Sequence, residues 1–249
     1  MPNIKLVIAY DGTGYGGWQR TANAGKPCIQ ALLEERLTAL LGETIHVIGS
    51  GRTDAGVHAL AQTANFRCRV RKEAGELCRE LNRALPEDIR IRSAEVVKNS
   101  FHSRYDAAAK TYEYHIDLRN PANVFTRRYC YQEQGELSEE RMRKAGALLI
   151  GTHDFAAFST SRGDGRSTVR TIYDLSVERR GDAMVIAVTG NGFLYHMVRI
   201  IAGTLIEVGR GERRPEEITE MLAGGTRSLA GWMAPAQGLY LKEVQYEHI

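Results

Sequence analysis

Apolar residues recur along this chain in two periods, one of a strand and one of a helix, and the two interleave in both halves of the sequence. Ile4 to Tyr10 reads as a buried strand, and Asp11 to Gln19 as a glycine-rich loop carrying two aromatics, Tyr15 and Trp18. Pro27 stands where a helix begins, a position its fixed backbone angle favours. Ile29, Leu32, Leu33, Leu37, Leu40 and Leu41 then form one apolar stripe at helical spacing, and Gly42 supplies the stop. The apolar run Ile45 to Ile48 leads into a second glycine-rich segment, Gly49 to Ala59. A strand follows over Ala61 to Val70, with Ala64, Phe66, Cys68 and Val70 on one face and Asn65, Arg67, Arg69 and Arg71 on the other. A helix with Leu77, Leu81, Ala84 and Leu85 inward ends before Pro86, and Ile89 and Ile91 then alternate with Arg90 and Arg92.

The second half repeats these rhythms without repeating the sequence. Tyr112, Tyr114, Ile116 and Leu118 share a face of a strand over Lys110 to Leu118. Ser138 caps a helix with Met142, Ala145, Leu148 and Leu149 inward and Gly151 at its end. Arg170 to Val177 and Met184 to Val188 form a hairpin. Asn191-Gly192 turns into an apolar core helix over Phe193 to Val208, and a short helix from Pro215 and a strand over Leu239 to Tyr246 close the chain. One-sided strands interleaved with helices predict an α+β fold with a mainly antiparallel sheet, because an all-parallel sheet would bury both strand faces. The seam falls near Ser103 to Ala109. This gives an N-terminal α/β half over 1–105, which holds the second glycine-rich loop, and a C-terminal α/β half over 106–249.

Composition narrows the class. A length of 249 residues suits one large or two small domains, and 43 % hydrophobic with 25 % charged residues is ordinary for a globular protein. No apolar run spans a bilayer and the N-terminus has no signal-peptide pattern, so the expected location is the cytoplasm. Cys28, Cys68, Cys78 and Cys130 are scattered, with no C-x-x-C pair, which favours reduced structural thiols over zinc or disulfides. The net charge is only +3, but lysine makes up seven of the 33 basic residues and arginine 26. Compositional bias alone could produce that ratio. The arginine-bearing strand faces around Arg67 and Arg90, which carry no acid among their arginines, favour a surface for a polyanion, since arginine forks onto phosphates and stacks on bases.

The segment Gly49-Ser50-Gly51-Arg52-Thr53-Asp54-Ala55-Gly56-Val57-His58-Ala59 sets a guanidinium and a carboxylate two residues apart among glycines, which admit close approach of a ligand. It is neither a P-loop, lacking Gly-Lys-Ser/Thr, nor a dinucleotide fingerprint, having the wrong glycine spacing. Arg199 lies in the most apolar helical stretch and needs a counter-charge or an outlet to solvent. Asp54 is the natural partner, and such a pair would keep that carboxylate ionised, as a nucleophile requires. The two readings of Arg199 weigh equally on physics alone. Tyr112 by itself reads as a core tyrosine. His58, His102 and His196 have no metal spacing and read as loop or core histidines. The basic loop Ser161 to Arg170 suits either a phosphate grip or a mobile surface segment.

The chain resembles the tRNA pseudouridine synthase A family nearly end to end. The resemblance runs through Tyr10-Asp11-Gly12-Thr13, Gly17-Trp18-Gln19, Gly51-Arg52-Thr53-Asp54-Ala55-Gly56-Val57-His58, Phe101-His102-Ser103-Arg104, Tyr112-x-Tyr114, Thr168-Val169-Arg170, Phe193 to Arg199 and Gly238-Leu239-Tyr240-Leu241. The segment Ser159 to Ser167 and both termini match least. The resemblance implies two similar α/β halves sharing a mainly antiparallel sheet flanked by helices. It implies isomerisation of uridine to pseudouridine at positions 38 to 40 of the tRNA anticodon stem-loop, no cofactor, no metal and a homodimer. It further implies that Asp54 is the catalytic aspartate, that Arg52 helps hold an extruded nucleotide, that Tyr112 and Leu239 sandwich the uracil, and that Arg199 pairs with the catalytic carboxylate.

Two other classes fit the residues less well. A non-catalytic RNA-binding module explains the arginines and aromatics but not an acid inside an RNA-facing loop. A glycosidase-like hydrolase needs two carboxylates flanking the scissile bond, and Asp11 is a weak second acid.

Overall fold

The computed structural model describes residues 1–19, 25–69, 72–161, 165 and 167–246. Val70 and Arg71, and Arg162, Gly163, Asp164 and Arg166 of the basic loop, lie outside the described residues. The chain forms two compact units, one of Met1–Ala108 joined by the C-terminal strand from Tyr240, the other of Ala109–Leu239. Sequence order places that last strand in the second half; its pairing places it in the first unit.

The first unit comprises β1 (Asn3–Tyr10), α1 (Ile29–Leu41), β2 (Ile48–Gly49), β3 (His58–Arg67), α2 (Ala74–Ala84) and β4 (Ile89–Val97). The second comprises β5 (Ala107–Asp117, which starts at the boundary), β6 (Tyr131–Gln132), α3 (Glu139–Ala147), β7 (Gly151–Asp154), β8 (Val169–Arg180), β9 (Ala183–Gly190), α4 (Met197–Arg210) and α5 (Glu217–Gly224), and β10 (Leu239–Tyr246) returns to the first. In the first unit β1 pairs antiparallel with β3 and β4 on its two edges, β2 pairs antiparallel with β3, and β10 lies parallel to β3 with Tyr240 opposite His58. In the second, β5, β9, β8 and β7 follow one another antiparallel, with Tyr112 opposite Val188, and β6 lies parallel to β5. The pairing is therefore mixed and mostly antiparallel, flanked by five helices, as the one-sided strands require.

Apolar spacing explains the cores. Ile29, Leu33, Leu37 and Leu41 of α1 and Leu77 and Leu81 of α2 are buried, as are Ile4, Leu6 and Ile8 of β1. Gly42 ends α1 at φ 70°, a conformation glycine adopts without strain. The helix begins two residues after Pro27: Cys28 is the N-cap, its Sγ accepting from the Ala31 amide at 3.4 Å. The Pro27 carbonyl instead accepts from Gly16 N at 2.9 Å, which ties it to the preceding loop.

Two expectations change more. The strand after the second glycine-rich loop starts at His58, straight out of that loop, and Asn65 is buried on it rather than exposed beside Arg67. Its amide donates to Asn3 Oδ1 at 2.9 Å and its carbonyl accepts from Ser103 N at 2.9 Å, so both ends of the side chain are satisfied inside the protein. The apolar helix begins at Met197, not Phe193, and runs to Arg210. His196 sits at φ 63°, outside helical geometry, and Phe193 packs edge-on against Tyr112, a tertiary contact instead of a helical one.

Candidate active site

Asp54 sits half-buried in a tight turn, with its carbonyl accepting from Val57 N at 3.1 Å and Gly56 at φ 80° completing the reversal. What holds that turn is the earlier loop, Asp11 to Gln19. Thr53, beside Asp54, is buried; its carbonyl accepts from Trp18 N at 3.0 Å, and its hydroxyl meets the Tyr10 hydroxyl at 2.8 Å. Burial pushes the Tyr10 phenol well above its usual range, so it remains a neutral hydrogen-bonding group.

The two loops approach so closely that glycine is obligatory at two points. A Cβ on Gly17, which stands at φ 98°, would lie 2.5 Å from the Thr53 carbonyl oxygen and 3.0 Å from the Asp54 carbonyl carbon; one on Gly12 would lie 2.0 Å from the Val57 carbonyl oxygen. Gly49 of the second loop clears the Trp18 indole, since its Cβ would lie 2.4 Å from Nε1, so that glycine makes room for protein rather than for a ligand. At the far end, buried His58 accepts the Gly12 amide on Nδ1 at 3.1 Å, lies 3.2 Å from the Asp11 carboxylate and stacks on Tyr240 at 4.7 Å. Ser50 is anchored by its hydroxyl on Gln62 Oε1 at 2.7 Å, and Gln62 donates to the Gly51 carbonyl at 3.1 Å. Against this fixed frame Arg52 projects into solvent.

Arg52 and Asp54 thus share one loop of the first unit. Tyr112, Arg199 and Leu239 belong to the second. Tyr112 is buried on β5, its ring edge-on to Phe193 with centroids 5.2 Å apart. Two residues further on the same face, Tyr114 donates from its hydroxyl to the Pro235 carbonyl at 3.0 Å, and Gly238 leaves room for that ring, a Cβ there falling 2.7 Å from it. Burial raises the Tyr114 phenol, partly opposed by the nearby Arg199 charge. Arg199 lies in the first turn of α4, half-buried, and is clamped to one segment twice: Nε donates to the Ala234 carbonyl at 2.8 Å, and its own carbonyl accepts from Ala234 N at 3.1 Å. Leu239 is buried just beyond the short 3-10 turn Ala236–Gly238.

Reasoning from sequence missed the clamp formed by the first loop. Its signal was present in Gly12 and Gly17, whose spacing has no helical or strand purpose, but the partner each glycine clears is more than 35 residues away. Among the described residues no group of three or more histidines, cysteines or acids is placed to hold a metal, and no helix is long and apolar enough to cross a membrane.

The profile of the family described as tRNA pseudouridine synthase matches residues 6–106 and 145–247. The tRNA pseudouridine synthase A 2 of Clostridium tetani is 47 % identical over 244 residues, covering 98 % of each chain. The tRNA pseudouridine synthase A of Thermoanaerobacter sp. strain X514 is 44 % identical over 246 residues, covering 99 % of this chain and 100 % of that one. That of Exiguobacterium sp. is 44 % identical over 249 residues, covering both chains in full. A chain in the crystal structure of a Cbf5-Nop10-Gar1 complex, 12 % identical, aligns with 81 % of this chain and 54 % of its own at a TM-score of 0.36, too low to carry an argument. The chain belongs to the tRNA pseudouridine synthase family. It is an isomerase that converts uridine in tRNA to pseudouridine.

Proposed function

We propose that the protein acts on uridines 38, 39 and 40 of the tRNA anticodon stem-loop, with Asp54 as its nucleophile. The observation that carries this reading is the seat of Asp54, a carboxylate in a turn pinned by Thr53, Trp18 and two glycines, beside an exposed arginine. Orientation fixed in advance is what a nucleophile contributes to a rate.

In this reading the target uridine leaves the helix stack, because its atoms are otherwise out of reach. Arg52 holds the extruded nucleotide and Tyr112 and Leu239 sandwich the uracil; stacking of a base on an aromatic ring is worth about 1–3 kcal/mol. Arg199 pairs with Asp54 and keeps it ionised. The carboxylate attacks C1′ of the ribose or C6 of the uracil. Either route gives the same net change: the N1–C1′ bond breaks, the trapped ring turns, C5 bonds to C1′ as the carboxylate is released, the proton on C5 leaves, and N1 takes up a proton. No water, redox partner or second carboxylate enters the balance. The working form is a cytoplasmic homodimer.

Release of tritium from tRNA labelled at uracil C5 tests the reaction, and mapping of pseudouridine tests the positions. Wild type is expected to release label from the anticodon arm. Asp54→Asn is expected to release none while binding tRNA as tightly, since arginine–phosphate contacts carry most of the affinity. Wild type silent on such tRNA, or modification confined to other positions, would sink the positional claim; an active Asp54→Asn would remove the nucleophile.

A further inference from the structure

The Phe101-His102-Ser103-Arg104 segment has no part in the reaction above, yet buried and ordered groups hold it firmly. Two buried polar side chains reach it, and a third, from within it, reaches out. Asn3 donates to the carbonyls of Phe101 at 2.8 Å and Lys98 at 3.1 Å; Asn65 accepts from Ser103 N at 2.9 Å and bonds Asn3; the Ser103 hydroxyl donates to the Ile48 carbonyl at 2.5 Å. Tyr246 adds a bond from its hydroxyl to the Ser103 carbonyl at 2.7 Å and packs its ring against Phe101 at 5.1 Å. The turn closes on itself through Asp106 N to the His102 carbonyl at 3.1 Å and His102 N to the Asp106 carboxylate at 2.9 Å, which occupies the one acid of the segment.

That scaffolding supports a surface that no apolar core requires. Tyr105 is 76 % exposed, although an aromatic ring of that size gains most by burial. Its ring lies 4.2 Å from that of His102, and the Arg104 guanidinium stands 5.9 Å from its centre. The His102 ring is itself locked, Nδ1 accepting from the amides of Arg104 and Tyr105 at 3.2 and 3.3 Å. Arg67, exposed on β3, reaches the preceding turn, closed by Phe101 N on the Lys98 carbonyl, with a bond to the Asn99 carbonyl at 2.6 Å. Among the described residues neither Arg67 nor Arg104 makes an ion pair.

We propose that His102, Arg104 and Tyr105 form an RNA-docking platform separate from the loop that carries Asp54, where a base of the tRNA stacks on Tyr105 and the adjoining phosphate meets Arg104. The proposal rests on the tRNA substrate. A rigid flat ring beside cations with no carboxylate partner is complementary to a polyanion carrying flat bases, and cation and ring reinforce each other. Because the buried asparagines and serine fix the turn before RNA arrives, little ordering opposes docking.

The test is equilibrium binding of an unmodified full-length tRNA transcript across a salt series, with thermal midpoints and sedimentation for each variant. Tyr105→Ala is expected to weaken binding about tenfold, Tyr105→Phe to bind as wild type, and Arg104→Gln to lower the slope of log affinity against log salt by about one. All should melt and sediment as wild type does. If Tyr105→Ala melts early, the Arg104→Gln slope decides. Unchanged affinity and slope at normal melting would overturn the platform, as would affinity lost together with self-association, which would make the surface a protein interface. Wild type that fails to bind or modify tRNA would instead overturn the functional reading, so the two failures are distinct.

Discussion

Gly17 shows how a single missing methyl group can set the position of a distant turn. Its φ of 98° and the 2.5 Å that would separate its Cβ from the Thr53 carbonyl leave no room for a side chain, and the obstructing atoms are backbone. Gly17→Ala must therefore move the Asp54 turn or the loop facing it. The expected result is a single-turnover rate lower by about a hundredfold, the order of loss for a reacting group misplaced by about an ångström. Affinity for tRNA should hold, because the substitution removes no cation. A variant that reacts and melts like wild type would show that the turn does not depend on this contact. The same arithmetic was hidden in the sequence. Gly12 and Gly17 were legible as glycines, but a glycine's purpose is defined by the atom it avoids, and here that atom is distant in the chain.

Elements are legible in the sequence where one face decides them and less so at their ends. Arg90 and Arg92 are exposed and Ile89 and Ile91 buried on β4, as alternation requires. β10 spans Leu239–Tyr246 as expected. The early start assigned to α4 failed because apolar content does not distinguish a helical turn from a segment whose side chains pack elsewhere; Phe193 faces Tyr112, and His196 breaks the helix. Asn65 failed for the converse reason, since its polarity suggests solvent but Asn3 and Ser103 supply its partners.

The end of β5 carries a prediction of its own. Asp117 is buried there and receives Nε and Nη2 of Arg119, both at 2.7 Å, with Thr126 Oγ1 at 2.9 Å. The hydrogen bonds from Arg119 outweigh burial and hold its carboxyl down to about 2, below the ordinary 3.8. A carboxylate depressed on folding stabilises the protein above its unfolded value, and that stability is lost as pH falls through its folded value. Asp117→Asn should therefore lower the thermal midpoint by several degrees at pH 7, and the gap to wild type should close as pH falls from about 4 toward 2. A gap that persisted unchanged at pH 2.5 would assign the loss to packing instead.

At the scale of the whole molecule, the proposed chemistry draws Asp54 from the first unit and Arg199, Tyr112 and Leu239 from the second. Arg199→Met tests that joint reading. With the Asp54 pairing in place, turnover should fall by about a hundredfold or more, in line with loss of one electrostatic partner at a reacting centre. The affinity for tRNA and its salt slope should barely move. Wild-type turnover in a stable Arg199→Met would leave the arginine a structural clamp on the Ala234 segment.

The sequence by itself determined the family and the α+β pattern with its one-sided strands, and it nominated the residues of the proposed chemistry, because periodicity and a contiguous motif such as Gly51 to His58 are written locally. Only the tertiary structure decided what immobilises Asp54, which glycines clear protein rather than ligand, why Asn65 lies inside, and that the final strand belongs beside β3. Each of these is a contact between residues far apart in the chain. Its energy comes from burial and hydrogen bonding that exist only after folding, so no local pattern records it.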